Sequence, residues 1–314
     1  MYELFKKYWK RFFLPLKIVI VFAAFYLIYG KFDLYLFREN QFKFPAISNF
    51  RLASFIFLML IFTTVNWLLE INKWKLLVSQ VVKISFYDAV IQSLSSHTVS
   101  LVTPFKSGEF GMKTMFYKRD LFKKIIDLNF IGNFSQLIIT VIFGIVGFYL
   151  YQFSIGEILN ITIVDAKSVS FIFFGSLILV IMLSIFIMNK LINFKIIPIK
   201  KHFHILLISM LRYLIFSHQY VFLLFIFYPN LNYEVTISSI FSMYLLASII
   251  PTMALFDWTI KGSIAVILLS VIGFQAEIIL LVSIIMWFFN FALPAILGSY
   301  FVMSFSSNKI LANE

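Results

Sequence analysis

Long apolar runs alternate with short charged segments along most of the chain, at about residues 12–29, 52–69, 128–151, 169–188, 206–227 and 278–303. At about 1.5 Å rise per residue each run is long enough, as a helix, to cross a hydrocarbon core of roughly 30 Å, which predicts six full spans. The first run, apolar apart from Lys17, follows Lys6, Lys7, Lys10 and Arg11 and so has the front of a secretory signal. Its length, the lack of a small-x-small cleavage pattern and the spans that follow make it a retained span.

Two stretches fit poorly as simple spans. Residues 86–124 and 235–273 are moderately apolar helices broken by proline and then by charge. The first has Pro104, Gly108 and Gly111 around Glu109 and Lys113; the second has Pro251 and Gly262 around Asp257 and Lys261. Broken backbone at membrane depth is tolerated only where protein buries it or where it lines a wet cavity, so both are expected to be re-entrant hairpins with the prolines and glycines as hinges.

Composition agrees with this class. Of 314 residues, 61% are hydrophobic and 13% charged, with 41 Phe, more apolar surface than a water-soluble core can hide. The absence of cysteine removes disulfides, thiolate catalysis and cysteine-based metal sites. A net charge of +12 in a membrane chain points to cytoplasmic loops facing anionic lipid rather than to nucleic acid.

The cations also set an orientation. Residues 189–204 hold Lys190, Lys195, Lys200 and Lys201 without an acid, and residues 106–124 are lysine-rich. Both fall inside when both termini are cytoplasmic, with the chain expected in the cytoplasmic (inner) membrane, while residues 152–168 and the turn around Glu234 fall outside. The loop at 30–51, with Lys31, Arg38, Lys43 and Arg51, disagrees; it also carries Asp33 and Glu39.

On this count the chain is one transmembrane domain made of two units. Residues 1–151 and 169–303 each hold three spans and one hairpin, joined by 152–168, with 304–314 as a cytoplasmic tail. Three crossings invert the second unit relative to the first. The hairpins match locally: TPFKSGEFGMK from Thr103 and PTMALFDWTIKGSIA from Pro251 each place proline, then an acid, then lysine four residues on. Spacing of i to i+4 puts Glu109 with Lys113, and Asp257 with Lys261, on one helix face, where pairing lowers the cost of charge in a low dielectric. The fold class expected is therefore all-α, a polytopic helical membrane protein with about six spans and two broken re-entrant hairpins in two inverted repeats.

These residues carry a resemblance. Pro104, Gly108, Glu109 and Lys113, then Pro251, Asp257, Lys261 and Gly262, then Trp287, Asn290, Pro294 and Gly298 in WFFNFALPAILGS, make the chain resemble the transmembrane region of lysylphosphatidylglycerol synthases and its stand-alone, flippase-like relatives. The resemblance implies binding and movement of anionic or aminoacylated phospholipid, or a related lipid-linked molecule, across the membrane. The sequence ends at Glu314 without the soluble aminoacyltransferase domain of full-length synthases, so lysyl transfer is not expected. A lipid-modifying enzyme or a second copy of the chain is an expected kind of partner.

Other polar residues lie inside apolar runs. Arg212 should face the protein interior or a wet pocket; its planar fork suits a lipid phosphate, with Lys113 and Lys261 adding charge, and equally suits a permanent bridge to Glu109 or Asp257 or snorkelling to the cytoplasmic edge, about three turns away at Lys201. Asn129, Asn133 and Gln136 form one stripe, and Ser93, His97 and Ser100 repeat the spacing; the stripes fit a head-group path or interhelical hydrogen bonds. His97 and His218 fit packing roles as well as proton transfer. Trp9, Trp67, Trp74 and Trp287, near the predicted span ends, are expected to be interface anchors. The expected head-group site comprises His97, Glu109, Lys113, Asn133, Arg212, Asp257 and Lys261, with no cofactor or metal. A membrane-embedded enzyme and a non-transporting scaffold are the alternatives; the chain has no zinc-protease, hydrolase-elbow or nucleotide-loop motif.

Overall fold

The computed structural model describes residues 49–103, 106–159, 175, 196–250 and 254–305. The expected spans at 12–29 and 169–188, the prolines Pro104 and Pro251, Trp9 and most of the basic loop lie outside the described residues. Within them the chain is helical, and four helical segments, Ala53–Val78, Arg119–Gly156, Ile199–Phe227 and Ala276–Ser304, are long and apolar enough to cross a membrane. The protein is a polytopic helical membrane protein.

In chain order the helices are α1 (Asn49–Val78), α2 (Phe86–Leu101), α3 (Ser107–Thr114), α4 (Phe122–Leu159), α5 (Ile199–Phe227), α6 (Tyr233–Ile249), α7 (Asp257–Ser270), α8 (Ala276–Trp287) and α9 (Leu293–Ser304). A π-helical segment at Phe288–Ala292 joins α8 to α9. The third predicted span is longer than 128–151, because helix continues through Leu159 and takes in the first part of the expected linker. Its segment 152–159 keeps enough apolar and helix-forming residues to propagate the hydrogen-bond ladder past Tyr151.

Two apolar clusters mark opposite ends of the bundle. One gathers Trp74, Leu77 and Val78 at the end of α1, Phe116, Ile125 at the start of α4 and Ile205 at the start of α5. The other gathers Ile155 near the end of α4, Leu224 near the end of α5, Phe274 and Ile279. Helix α2 starts at the first end beside Ile84, and the chain returns there through α3 to Phe116. Helix α6 starts at the second end, and α7 returns there, where the Phe274 ring meets Tyr228 at 4.4 Å. Each broken stretch thus enters and leaves at one end, from opposite ends of the bundle. Their tips meet inside it, where Leu101 packs with Ala254 and Ala295.

Local signals fix where the hairpins begin. Ser85 caps α2 in a capping box with Asp88, and Asn232 caps α6 through its side-chain oxygen. At 16 and 17 residues, α2 and α6 reach only part of the way across a bilayer.

The expected glycine hinges take a different form. Gly108, Gly111 and Gly262 lie inside helices, and the left-handed backbone next to the first tip belongs to Lys106 at φ 56°. Gly108 and Gly262 instead permit close approach. A Cβ on Gly108 would strike Val99 and Thr103, and one on Gly262 would press on Leu280, whereas Gly111 faces open space.

Close approach also joins the two units. Helix α4 packs along α6, and α9 along α2, so each hairpin lies against the last span of the other unit. A Cβ on Gly144 or Gly147 would meet Leu245 or Phe241, and one on Gly298 would meet the backbone carbonyl of Leu94. Small residues at membrane helix contacts let backbones approach, so dispersion and short polar contacts replace the missing hydrophobic drive.

Candidate functional site

The break in the last span begins the site. Pro294 has no N–H to give to the carbonyl four residues earlier, and that carbonyl, Asn290 O, accepts from Trp67 Nε1 of α1 at 3.2 Å. In the π-helical turn beside it, Phe291 O meets His97 Nε2 of α2 at 3.0 Å, and in α9 Ala295 O accepts from the Thr98 hydroxyl. The last span is therefore tied to α1 and α2 through three of its carbonyls.

Asn290 extends the stitching through its side chain. Its amide donates to Gln219 Oε1 of α5 at 2.9 Å and its oxygen accepts from Asn66 at 2.8 Å. Asn66 accepts in turn from Arg212 Nε at 2.9 Å. The Arg212 guanidinium also pairs with Glu70, whose carboxylate lies 2.8 Å from Lys73 Nζ. Arg212 is thus held by α1 through Glu70 and Asn66, and not by the bridge to Glu109 or Asp257 that was one of the alternatives open in the sequence. Glu70 was hidden in the sequence because it directly follows the predicted span and so reads as a span end.

Both acid–lysine pairs form. Lys113 Nζ is 2.7 Å from Glu109 Oε1 and 2.7 Å from Asn129 Oδ1, and lies over the Trp74 ring at 4.2 Å. Lys261 Nζ is 2.6 Å from Asp257 Oδ2, 5.2 Å from the Tyr244 ring centre and 5.4 Å from that of Phe291. The same Phe291 ring has Lys106 Nζ at 5.5 Å, so one aromatic side chain of the last span touches a lysine from each hairpin.

The tryptophans correct a further expectation. Trp67, Trp74 and Trp287 are buried in protein and not set at an interface, with Trp74 only 1% exposed. Each indole N–H has an internal acceptor: Asn290 O for Trp67, Gln92 Oε1 for Trp74 and Ala254 O for Trp287. Buried indoles require such acceptors, and here the Trp74 and Trp287 contacts brace the hairpins while that of Trp67 ties α1 to the last span.

A cavity of about 520 Å³ lies at this junction. His97, Glu109, Lys113, Asn133, Arg212, Asp257 and Lys261 all line it, so the structure brings together every expected head-group residue. The two polar stripes also meet there, Ser93, His97 and Ser100 from α2 with Asn133 and Gln136 from α4. Asn129 of the second stripe is drawn away to hold Lys113. His218 lies elsewhere, bonded to Leu214 O and the Tyr233 hydroxyl as a packing histidine. Residues that the sequence did not single out, Asn66, Glu70, Lys106, Tyr244 and Phe291 among them, complete the wall.

The arrangement can do two things chemically. It can hold a charged, hydrogen-bonding group against lysines and aromatic rings in a partly desolvated space, and it can couple that group to both hairpins. Among the described residues, no group of three or more histidine and carboxylate side chains is placed to hold a metal ion. No protein-family model, no curated protein and no solved structure matches this chain.

Proposed function

We propose that this chain is a flippase-like membrane protein that receives the head group of an anionic or aminoacylated phospholipid, or of a related lipid-linked molecule, and passes it between two hairpins across the bilayer. The observation that carries this reading is the convergence of both acid–lysine pairs on one cavity, from hairpins that enter at opposite ends of the bundle. Broken helices meeting midway supply the polar groups that a head group needs while acyl chains stay in lipid. The resemblance of the hairpin and last-span motifs to the flippase-like relatives of lysylphosphatidylglycerol synthases supports the same reading. The orientation that goes with it has both termini and residues 189–204 on the cytoplasmic side of the inner membrane.

The test is reconstitution into liposomes carrying a fluorescent phospholipid, with an impermeant quencher added outside. Protein-dependent loss of the protected inner-leaflet signal is the expected result. Chemical turnover of the lipid would favour a membrane-embedded enzyme acting through Glu109, Asp257 or His97. Neither movement nor turnover would leave a scaffold for a lipid-modifying partner.

A further inference from the structure

The charges around the cavity do not cancel. Glu109 is paired with Lys113 and Asp257 with Lys261, while the single carboxylate of Glu70 serves both Lys73 and Arg212. Lys106 faces the same cavity, and no carboxylate lies within ion-pair distance of it among the described residues. Among the described residues, counting Lys73 with the wall, five cations face three acids. Every acid is already taken and positive charge remains.

The surplus is placed where both hairpins can use it. Lys106 and Lys261 approach one ring, Phe291, so their ammonium groups are no further apart than 5.5 and 5.4 Å laid end to end. On the same wall is the Ser93 hydroxyl, on a side chain of a residue only 4% exposed and with no hydrogen-bond partner. A buried hydroxyl without a partner is costly unless something enters the space it faces. Lysine charge, a waiting hydroxyl and room for a head group but not for two acyl chains together describe a receptor for one phosphodiester anion.

We propose that the cavity selects net-anionic phosphodiester lipid over aminoacylated, cationic lipid, with Lys106 supplying the unmatched charge that decides between them. This rests on the head-group reading above and narrows it to one substrate class. An aminoacyl group would bring its ammonium against Lys106 and Lys261, a like-charge contact for which no carboxylate among the described residues is left free. Arg212, locked to Glu70 and Asn66, holds the wall together and is not the selecting group.

The test is native mass spectrometry of the full chain in non-ionic detergent with equal amounts of phosphatidylglycerol and lysyl-phosphatidylglycerol, and with glycerol 3-phosphate in a separate arm. Wild type should retain phosphatidylglycerol over the lysyl lipid by about tenfold or more, as expected for a charge-assisted contact. K106Q should lose most of that preference and K106R should keep it. Lys106 is exposed and has no carboxylate to abandon, so an unchanged melting curve is expected for K106Q. Equal or inverted retention in wild type, or the wild-type ratio in K106Q, would overturn the proposal. Retention of glycerol 3-phosphate without a lipid preference would overturn it too, by placing a soluble phosphate ester in the site. In the liposome assay, movement that ignores head-group charge would sink this inference and leave the transport reading standing. A Lys106-dependent preference without movement would support the anion site and remove the transport reading.

Discussion

Replacing Glu70 by glutamine should be the most damaging single change of a charge in the described bundle. Its carboxylate lies 2.8 Å from Lys73 Nζ, and the Lys73 side chain is 1% exposed. Glutamine keeps the shape and one acceptor oxygen but removes the charge, leaving a buried ammonium without a counter-ion. Removing one partner of a buried pair costs about 3 to 5 kcal/mol. Arg212 adds little to that figure, since its side chain is 21% exposed toward the cavity and keeps the oxygen of Asn66. Asp257→Asn is the internal comparison. Lys261 and Asp257 are 23% and 17% exposed on a wall that water can reach, so breaking this pair should cost about 1 kcal/mol, near the range for solvated pairs. Denaturant unfolding of purified protein in mixed micelles, followed by tryptophan fluorescence, measures both. Lys73→Met in the Glu70→Gln background should restore most of the loss, because a neutral side chain of similar length needs no counter-ion. A Glu70→Gln variant as stable as Asp257→Asn, or a double variant no better than the single one, would refute the assignment of Glu70 as the shared counter-ion.

Three further outcomes follow from the packing and the orientation. Gly298→Ala should lower stability by about 1 to 3 kcal/mol in the same unfolding assay, since its Cβ meets the backbone carbonyl of Leu94, which cannot rotate away; Gly111→Ala, in open space within α3, should raise it by about 0.5 to 1 kcal/mol. Asp257→Asn should slow lipid movement in liposomes with a similar amount of folded protein, and Glu109→Gln should slow it while also lowering stability, because it leaves the Lys113 ammonium, 3% exposed, without its carboxylate; normal movement in both would detach the hairpin pairs from transport. In the cysteine-free chain, a maleimide that cannot cross membranes should label Asn230→Cys but not Lys200→Cys on intact cells, both positions being exposed; the reverse pattern would invert the orientation.

The fold was legible where the signal was local. Proline, an acid and a lysine four residues later marked both tips, and Arg212 had to find a polar environment because an apolar run surrounds it. What stayed hidden depended on partners far apart in sequence. Trp67 and Trp74 look like interface anchors until Asn290 O and Gln92 Oε1 are seen to receive their N–H groups. Glu70 reads as the end of a span because the next turns of α1, which carry Lys73 and Trp74 into the interior, are covered by other helices. The glycines announce a backbone need without saying which. Freedom to bend and room for a neighbour call for the same residue, and only the contact with Leu94 or Leu280 tells them apart.

The cross-packing of the two units limits how such a molecule can move. Hairpin α2–α3 lies against α9 of the other unit, and α6–α7 has α4 along its first arm, both through contacts that glycine makes close. A hairpin sliding alone past its neighbour would bring side chains onto those glycine-lined backbones, which the spacing at Gly147 and Gly298 forbids. Each hairpin is therefore expected to travel with the last span of the opposite unit. The element left to yield is the junction at Phe288–Ala292, a π-helical turn followed closely by Pro294, whose Phe291 ring meets both lysines. A head group that displaces Phe291 would act on both hairpins at once, and the charges that bind it would be the ones that report its arrival. Phe291→Ala tests this, and should loosen the coupling by letting lipid cross in the absence of any head-group preference. If Phe291→Ala moves lipid no faster than wild type and keeps its selectivity, the ring is packing and the gate lies elsewhere.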